Sequence, residues 1–324
     1  MCFLVSWPTW CLDDPQSRGW RSWIAVFILL YLPFCSIIRR HQRQLRARGY
    51  APLGRRMTLE EAYNIKCQIA EHEFPTVFAA AMKFVFFKAE GIPSIAKLIA
   101  RAAQRSEPRS APPKLGHVTT RVTPADLVGR PGGPERAAAI DRVNRIHSRY
   151  RPSGKMSDED LLYVLGLFAL EAGRWVERFE WRPLAPDERR ALATLWMALG
   201  DELRIPLDPL PSGRRGFRDA LHWLAELEAW GREYERMNRR ASPESAALAA
   251  RQMEAWLRGV PACLRPIARR AVAALIEPEL RGGMGIEAPS RIYIFSAELI
   301  VGIRKFFRAH LCSPVALVRG YKRE

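Results

Sequence analysis

Apolar residues recur every three or four positions through most of the chain, and the pattern breaks at proline and glycine rather than at alternating strand-like runs. MTLEEAYNIKCQIAEHE predicts a helix capped by Thr58, with Glu61 three residues on completing a capping box. Pro75 and Gly91-Ile92-Pro93 interrupt the helices that follow, and Ser94 is the expected cap of the third. A proline-rich polar stretch over 106–134 predicts a surface loop with one short extended or helical piece. Helical periodicity returns at Pro134, a favoured first-turn proline, and runs through PERAAAIDRVNRIHSRY. Ser157 opens SDEDLLYVLGLFALEAGRWVERF, whose middle is apolar nearly all round, as a central core helix requires. Pro186 starts the next, and further helices are expected over 217–236, 243–258, 261–276 and 290–310. The fold class predicted is all-α, with one helical domain over 58–324.

One apolar block differs from the rest. Residues 23–38, WIAVFILLYLPFCSII, carry no charge. The run is slightly shorter than the roughly 17–25 residues of a spanning helix. Trp20 and Trp23 extend it as interfacial anchors, and Arg21 can snorkel to the headgroups. Arg39, Arg40, Arg43, Arg46 and Arg48 follow at once, whereas Asp13 and Asp14 precede it. Positive charge stays on the cytosolic side, so 1–19 is expected in the lumen, 20–38 in the membrane, and the basic segment 39–57 and the domain behind it in the cytosol. A cleaved signal peptide is the alternative, but it would show a basic start and a small-residue cleavage site instead of an arginine block.

Charge adds little beyond this. The formal net charge of +17 suits phosphate, on nucleic acid or lipid headgroups. No zinc-finger spacing, basic zipper or RNA-binding aromatic signature accompanies it, so no nucleic-acid partner is expected. The six cysteines form neither a CxxC pair nor a disulfide framework.

The common catalytic signatures are missing: no phosphate loop, HExxH, GxSxG or dinucleotide fingerprint. A di-iron bundle needs two Glu-x-x-His pairs, and the nearest match is a lone Asp219-x-x-His222. Single histidines remain (His41, His72, His117, His147, His222 and His310), and a haem needs only one imidazole from the protein. Any of them, taken alone, is more often a surface or satisfied core residue than a ligand.

RVNRIHSRY, the following GKMSDEDLLYVLGLFALEAGRWVERFEWRPLAPDE and the upstream EFPTVFAAAMKFVFFKAEGIPSIAKL resemble the endoplasmic-reticulum-bound oxygenases of the mpaB type. That family shares its catalytic domain with the bacterial rubber oxygenases, the latex-clearing proteins. The resemblance is specific from about Glu60 to Pro206 and thinner beyond. It implies a haem b with iron held by one histidine, dioxygen as co-substrate, and oxidative cleavage of a carbon–carbon double bond in an apolar prenylated molecule of secondary metabolism. His147 falls on the family's axial histidine, and Asn144 and Arg151, three residues before and four after, share its helix face. Arg151 is the candidate partner of a haem propionate. Lys88 matches the basic member of the distal motif, so Lys88 and Arg151 are the candidate catalytic residues. From its surroundings alone Lys88 is a desolvated base or a helix-end cation that complements the dipole. Ala89 replaces the family's usual threonine and removes a hydroxyl that could orient oxygen. Tyr150 and Trp175 are expected in packing. The resemblance places the protein on the endoplasmic reticulum membrane with lipid as a partner. The competing reading is a non-catalytic, membrane-anchored haem- or lipid-binding protein of the same fold. Glu298, Arg304 and Arg308 interrupt the C-terminal helix, which is expected to pack on the domain with an amphipathic edge.

Overall fold

The computed structural model describes Tyr31, Ile37, 56–106 and 122–310. The chain divides into two compact units, Met1–Gly49 with Phe306–Glu324, and Tyr50–Lys305; the second carries the fold described below. Apart from Tyr31 and Ile37, the expected membrane span lies outside the described residues, as do the arginine block, His41, His117 and residues 107–121 of the expected loop. Among the described residues no helix is long and apolar enough to cross a membrane.

The helices are α1 (Leu59–Cys67), α2 (Pro75–Ala89), α3 (Pro93–Ser106), α4 (Pro124–Leu127), α5 (Pro134–Tyr150), α6 (Asp158–Phe179), α7 (Pro186–Glu202), α8 (Ala220–Asn238), α9 (Pro243–Leu257), α10 (Arg265–Leu275), α11 (Pro278–Gly283) and α12 (Arg291–His310). No strand occurs among the described residues, so the all-α expectation holds there.

Local chemistry sets many of the boundaries. Glu61 N–H donates to the Thr58 hydroxyl at 3.2 Å and Thr58 N–H donates to the Glu61 carboxylate at 2.9 Å, the expected capping box. Thr123 and Asp126 form another, which makes the short piece of the 106–134 stretch helical. Ser157 accepts from Asp160 N–H at 2.9 Å to start α6. Asp219 accepts from His222 N–H at 2.8 Å, so Asp219-x-x-His222 is a helix cap. Ser94 differs from expectation: α3 begins at Pro93, and the Ser94 hydroxyl donates to Asp160 on α6 at 2.7 Å. Pro75 lacks the N–H needed to continue from α1, and the chain enters it through a π-helical turn, Gln68–Glu73.

α2 lies at the junction of two hydrophobic clusters. Its Phe78 and Val85 join the main core of α6, α7 and α8. Phe84 and Phe87 pack with Met253, Leu257 and Leu280 of α9 and α11. Phe86, Phe168 and Trp196 tie α2, α6 and α7 together, the first pair edge-on with centroids 5.5 Å apart and the second stacked at 5.2 Å. Close packing of α6 on α7 depends on Gly200, where a Cβ would stand 2.7 Å from Leu165 Cδ2.

Candidate functional site

Three features of the described domain carry chemistry, and each sits at a different place along α6 and α7. The first is the face of α5 that holds Asn144, His147 and Arg151. Asn144 Nδ2 donates to the Glu202 carbonyl at 2.9 Å. Arg151 donates to the Arg204 carbonyl at 3.1 Å and pairs with Asp158 at 2.6 Å. These bonds satisfy carbonyls that the C-terminus of α7 leaves without helical partners. Arg204 turns the chain there with φ +53°, in the left-handed region. His147 lies between the two tethers on the same face. Its Nδ1 is buried and has no hydrogen-bond partner. Burial, reinforced by the Arg151 charge, lowers its pKa from 6.5 to about 4, so the imidazole is neutral at neutral pH. A neutral ring with an unengaged buried nitrogen has the state a metal-bound histidine requires. The donor therefore fits a haem iron, which asks the protein for one strong ligand. Among the described residues no group of three or more His, Cys, Asp or Glu side chains is placed to hold a metal ion.

The second feature surrounds Lys88, 1% exposed near the end of α2. Its Nζ lies 3.1 Å from Glu171 on α6, 3.2 Å from Glu277 and 3.7 Å from Glu235 on α8. Arg174 bridges Glu171 and Glu228, and Arg239 pairs with Glu235 while donating to the Tyr163 hydroxyl at 3.2 Å. Burial pushes the Glu277 carboxyl up, but the Lys88 ammonium outweighs it and holds the group below its ordinary value. Burial and the Glu235 charge push the Tyr163 phenol well up, so it stays a donor. This is a closed ionic knot joining α2, α6, α8 and the segment before α11. Ala89, 3% exposed, is buried in the main core beside it.

The structure does not bring Lys88 to the His147 face. Arg151 meets α6 at Asp158, its first residue, and Lys88 meets it at Glu171. Thirteen helical residues separate the two, roughly 20 Å at 1.5 Å per residue. The other residues of the similar stretch are structural in their contacts: Trp175 packs on Phe84 with centroids 5.1 Å apart, and Tyr150 is half-buried at the end of α5.

The third feature is a cavity of about 960 Å³ walled by α2, α4, α7 and α9. Phe78, Met82 and Phe86 line it from α2, and Leu192, Leu195 and Trp196 from α7. Lys66, Lys83, Arg251 and Arg258 also face it, with Glu71 and Glu254, so the wall is apolar with charged side chains, mostly basic, among it. Its volume lies at the upper end of the range for small-molecule sites. Neither His147 nor Lys88 is among its lining residues. Sequence reading passed over it because Phe78, Met82 and Phe86 recur at i, i+4 and i+8, the signature of any core-facing helix. Nothing local distinguishes a stripe that meets other side chains from one that meets empty space.

The sequence profile described as ER-bound oxygenase mpaB/B′/rubber oxygenase, catalytic domain, matches residues 94–304, which includes His147 and begins just after Lys88. The ER-bound oxygenase mpaB′ of Penicillium brevicompactum is 32% identical over 308 residues, 93% of this chain and 72% of the relative. The ER-bound oxygenase mpaB of Penicillium roqueforti is 34% identical over 270 residues, 82% of this chain and 90% of the relative. That of Penicillium brevicompactum is 35% identical over 229 residues, 68% of this chain and 57% of the relative. No solved structure matches the chain. Likeness on this scale, over the helices that hold the His147 face and the cavity, makes the chain a member of the ER-bound oxygenase mpaB/B′ and rubber oxygenase catalytic-domain family, an oxidoreductase of the oxygenase kind.

Proposed function

We propose that the protein is a haem-dependent oxygenase that cleaves a carbon–carbon double bond in the prenyl side chain of an apolar small molecule. His147 holds the iron in this reading. The observation that carries it is the His147 Nδ1, buried, without a partner and on a neutral ring. Bound haem would supply the activation of dioxygen, and the chain's own residues do the rest. Asn144 and Arg151 fix the histidine's helix against the end of α7. Arg151, partly exposed and already paired with Asp158, would be the residue to pair with a haem propionate on that face. The apolar cavity excludes water from a prenyl chain, and its basic side chains can hold a polar end of the same molecule. Cavity and histidine share α7: Trp196 walls the one, and the Glu202 carbonyl tethers the helix of the other. Lys88 acts by position, locking the end of α2, and with it the cavity wall, onto α6 and α8.

The test is absorbance and turnover of the detergent-purified full chain. A Soret band at about one haem per chain is expected, with oxygen uptake and carbonyl products from a farnesyl-bearing aromatic substrate. A colourless protein that binds no added haemin yet turns the substrate over would sink the cofactor assignment.

Membrane attachment belongs to the same reading, because the relatives carry ER-bound in their names. The uncharged run 23–38 is the proposed single anchor, with the domain in the cytosol and membrane lipid as partner. Protease added to intact microsomes should digest the domain, and protection until detergent is added would reverse the orientation. A substrate dissolved in the bilayer would then reach the cavity without crossing water.

A further inference from the structure

α12 packs inside out. Its small residues Ala297 and Val301 face the domain, and its Glu298, Arg304 and Lys305 bond to it. Arg304 donates to the Phe179 carbonyl and pairs with buried Glu180 at 2.9 Å. Lys305 donates to the Glu177 carbonyl at 2.9 Å, and Glu298 pairs with Arg178 at 3.0 Å. The cause lies in α6: its last turn leaves carbonyls without helical partners, and the cations of α12 satisfy them. Holding those cations inward turns the opposite face outward, and that face is apolar. Ile292, Phe295, Leu299 and Ile303 recur at three- and four-residue spacing and are 76%, 70%, 50% and 47% exposed, with Ile300 beside them at 65%. No charged residue interrupts the stripe, which runs about 16 Å along the helix at 1.5 Å per residue.

Scattered exposed leucines need no explanation, but a continuous apolar stripe does. The residues around this one are basic. Arg270 lies 5.9 Å over the Tyr293 ring, which sets α10 beside the start of α12. α10 and the turn before it expose Ile267 and Leu264, interleaved with exposed Arg265, Arg269 and Arg270, and Arg291 is exposed at the start of α12. Arg269 is paired with Glu254, and the acidic Glu298 is already paired, which leaves the local balance positive.

From the apolar stripe and its basic flank we infer that the outward face of α12, with the start of α10, is a lipid-docking surface seated at the headgroup–acyl boundary of an anionic bilayer leaflet. Apolar side chains enter the boundary and arginines meet lipid phosphates, the division of labour of an in-plane amphipathic helix. The residues of this surface are not those of the proposed anchor at 23–38, and the inference does not rest on that anchor. Two contacts on one bilayer would fix how the domain meets the membrane, where one would not.

The test uses the full chain in proteoliposomes containing phosphatidylserine, with the photo-crosslinker p-benzoylphenylalanine placed at Phe295 or Leu299 and, as a control, at Met237, which is exposed on α8. Each replaced residue is at least half exposed, so folding is not at stake. Phospholipid adducts are expected at Phe295 and Leu299 and not at Met237. Adducts to a second copy of the chain, or to its own residues 23–38, would overturn the proposal, as would equal lipid labelling at all three positions.

Discussion

His147→Ala is expected to empty the protein of haem and abolish oxygenase activity while leaving its helical content intact. The ring sits on α5 between two tethers that do not depend on it, the Asn144 and Arg151 bonds to the end of α7. Removing it therefore costs little packing. Its effect on stability is a matter of protons. The folded pKa of about 4 lies below the ordinary 6.5, so the unfolded chain takes up a proton between those values that the folded chain refuses. Stability of the apoprotein is thus unaffected above pH 6.5 and falls as pH drops towards 4. The shift corresponds to about 3 kcal/mol as an upper figure, because the ring is not fully buried. Urea unfolding of the apoprotein at a series of pH values should show this slope in wild type and a flatter one in the variant. Haem stoichiometry and far-ultraviolet circular dichroism complete the experiment. A folded variant with full haem and an unchanged spectrum would remove His147 from the iron.

Lys88→Ala is expected to lower stability by about 3–5 kcal/mol, the usual consequence of taking one partner from a buried ionic group. Three carboxylates face the ammonium within 4 Å, and Arg174 and Arg239 are committed to Glu171 and Glu235 from other directions. Without Lys88 they repel one another, and Glu171, 2% exposed, has little access to water to offset the loss. Adding Glu277→Gln to Lys88→Ala should recover part of the loss, because it removes one uncompensated charge. Thermal or urea unfolding of the two single variants and the double variant measures that coupling. If Lys88→Ala instead unfolds like wild type and loses only turnover, the lysine acts directly on the chemistry, as the family resemblance implies.

How much of this was legible beforehand depends on the range of each interaction. The all-α class and nearly every helix could be read from the chain, because helix starts are local. Thr58 with Glu61, Ser157 and the prolines at 75, 134 and 186 act within a single turn. The sharing of one face by Asn144, His147 and Arg151 follows from helical spacing alone. Family membership was also legible, carried by RVNRIHSRY and its neighbours. Ser94, expected as a cap, is drawn instead to Asp160 across 66 residues, a partner no local pattern announces.

What only the tertiary structure decided has the same physical reason throughout. Lys88 carries one charge wherever it stands. Its environment is set by Glu171, Glu235 and Glu277, which are 83 to 189 residues away and converge only when α2, α6, α8 and α11 pack. The cavity is a gap between helices, and a gap has no sequence. The amphipathic pattern of α12 was visible, and the helix was expected to pack on the domain with an amphipathic edge, but which side would face inward was not legible. The unpaired carbonyls at the end of α6 drew the cations inward and turned the apolar side out. Periodicity states that a helix has two faces; which face meets the protein is decided by the partners that the fold brings to it.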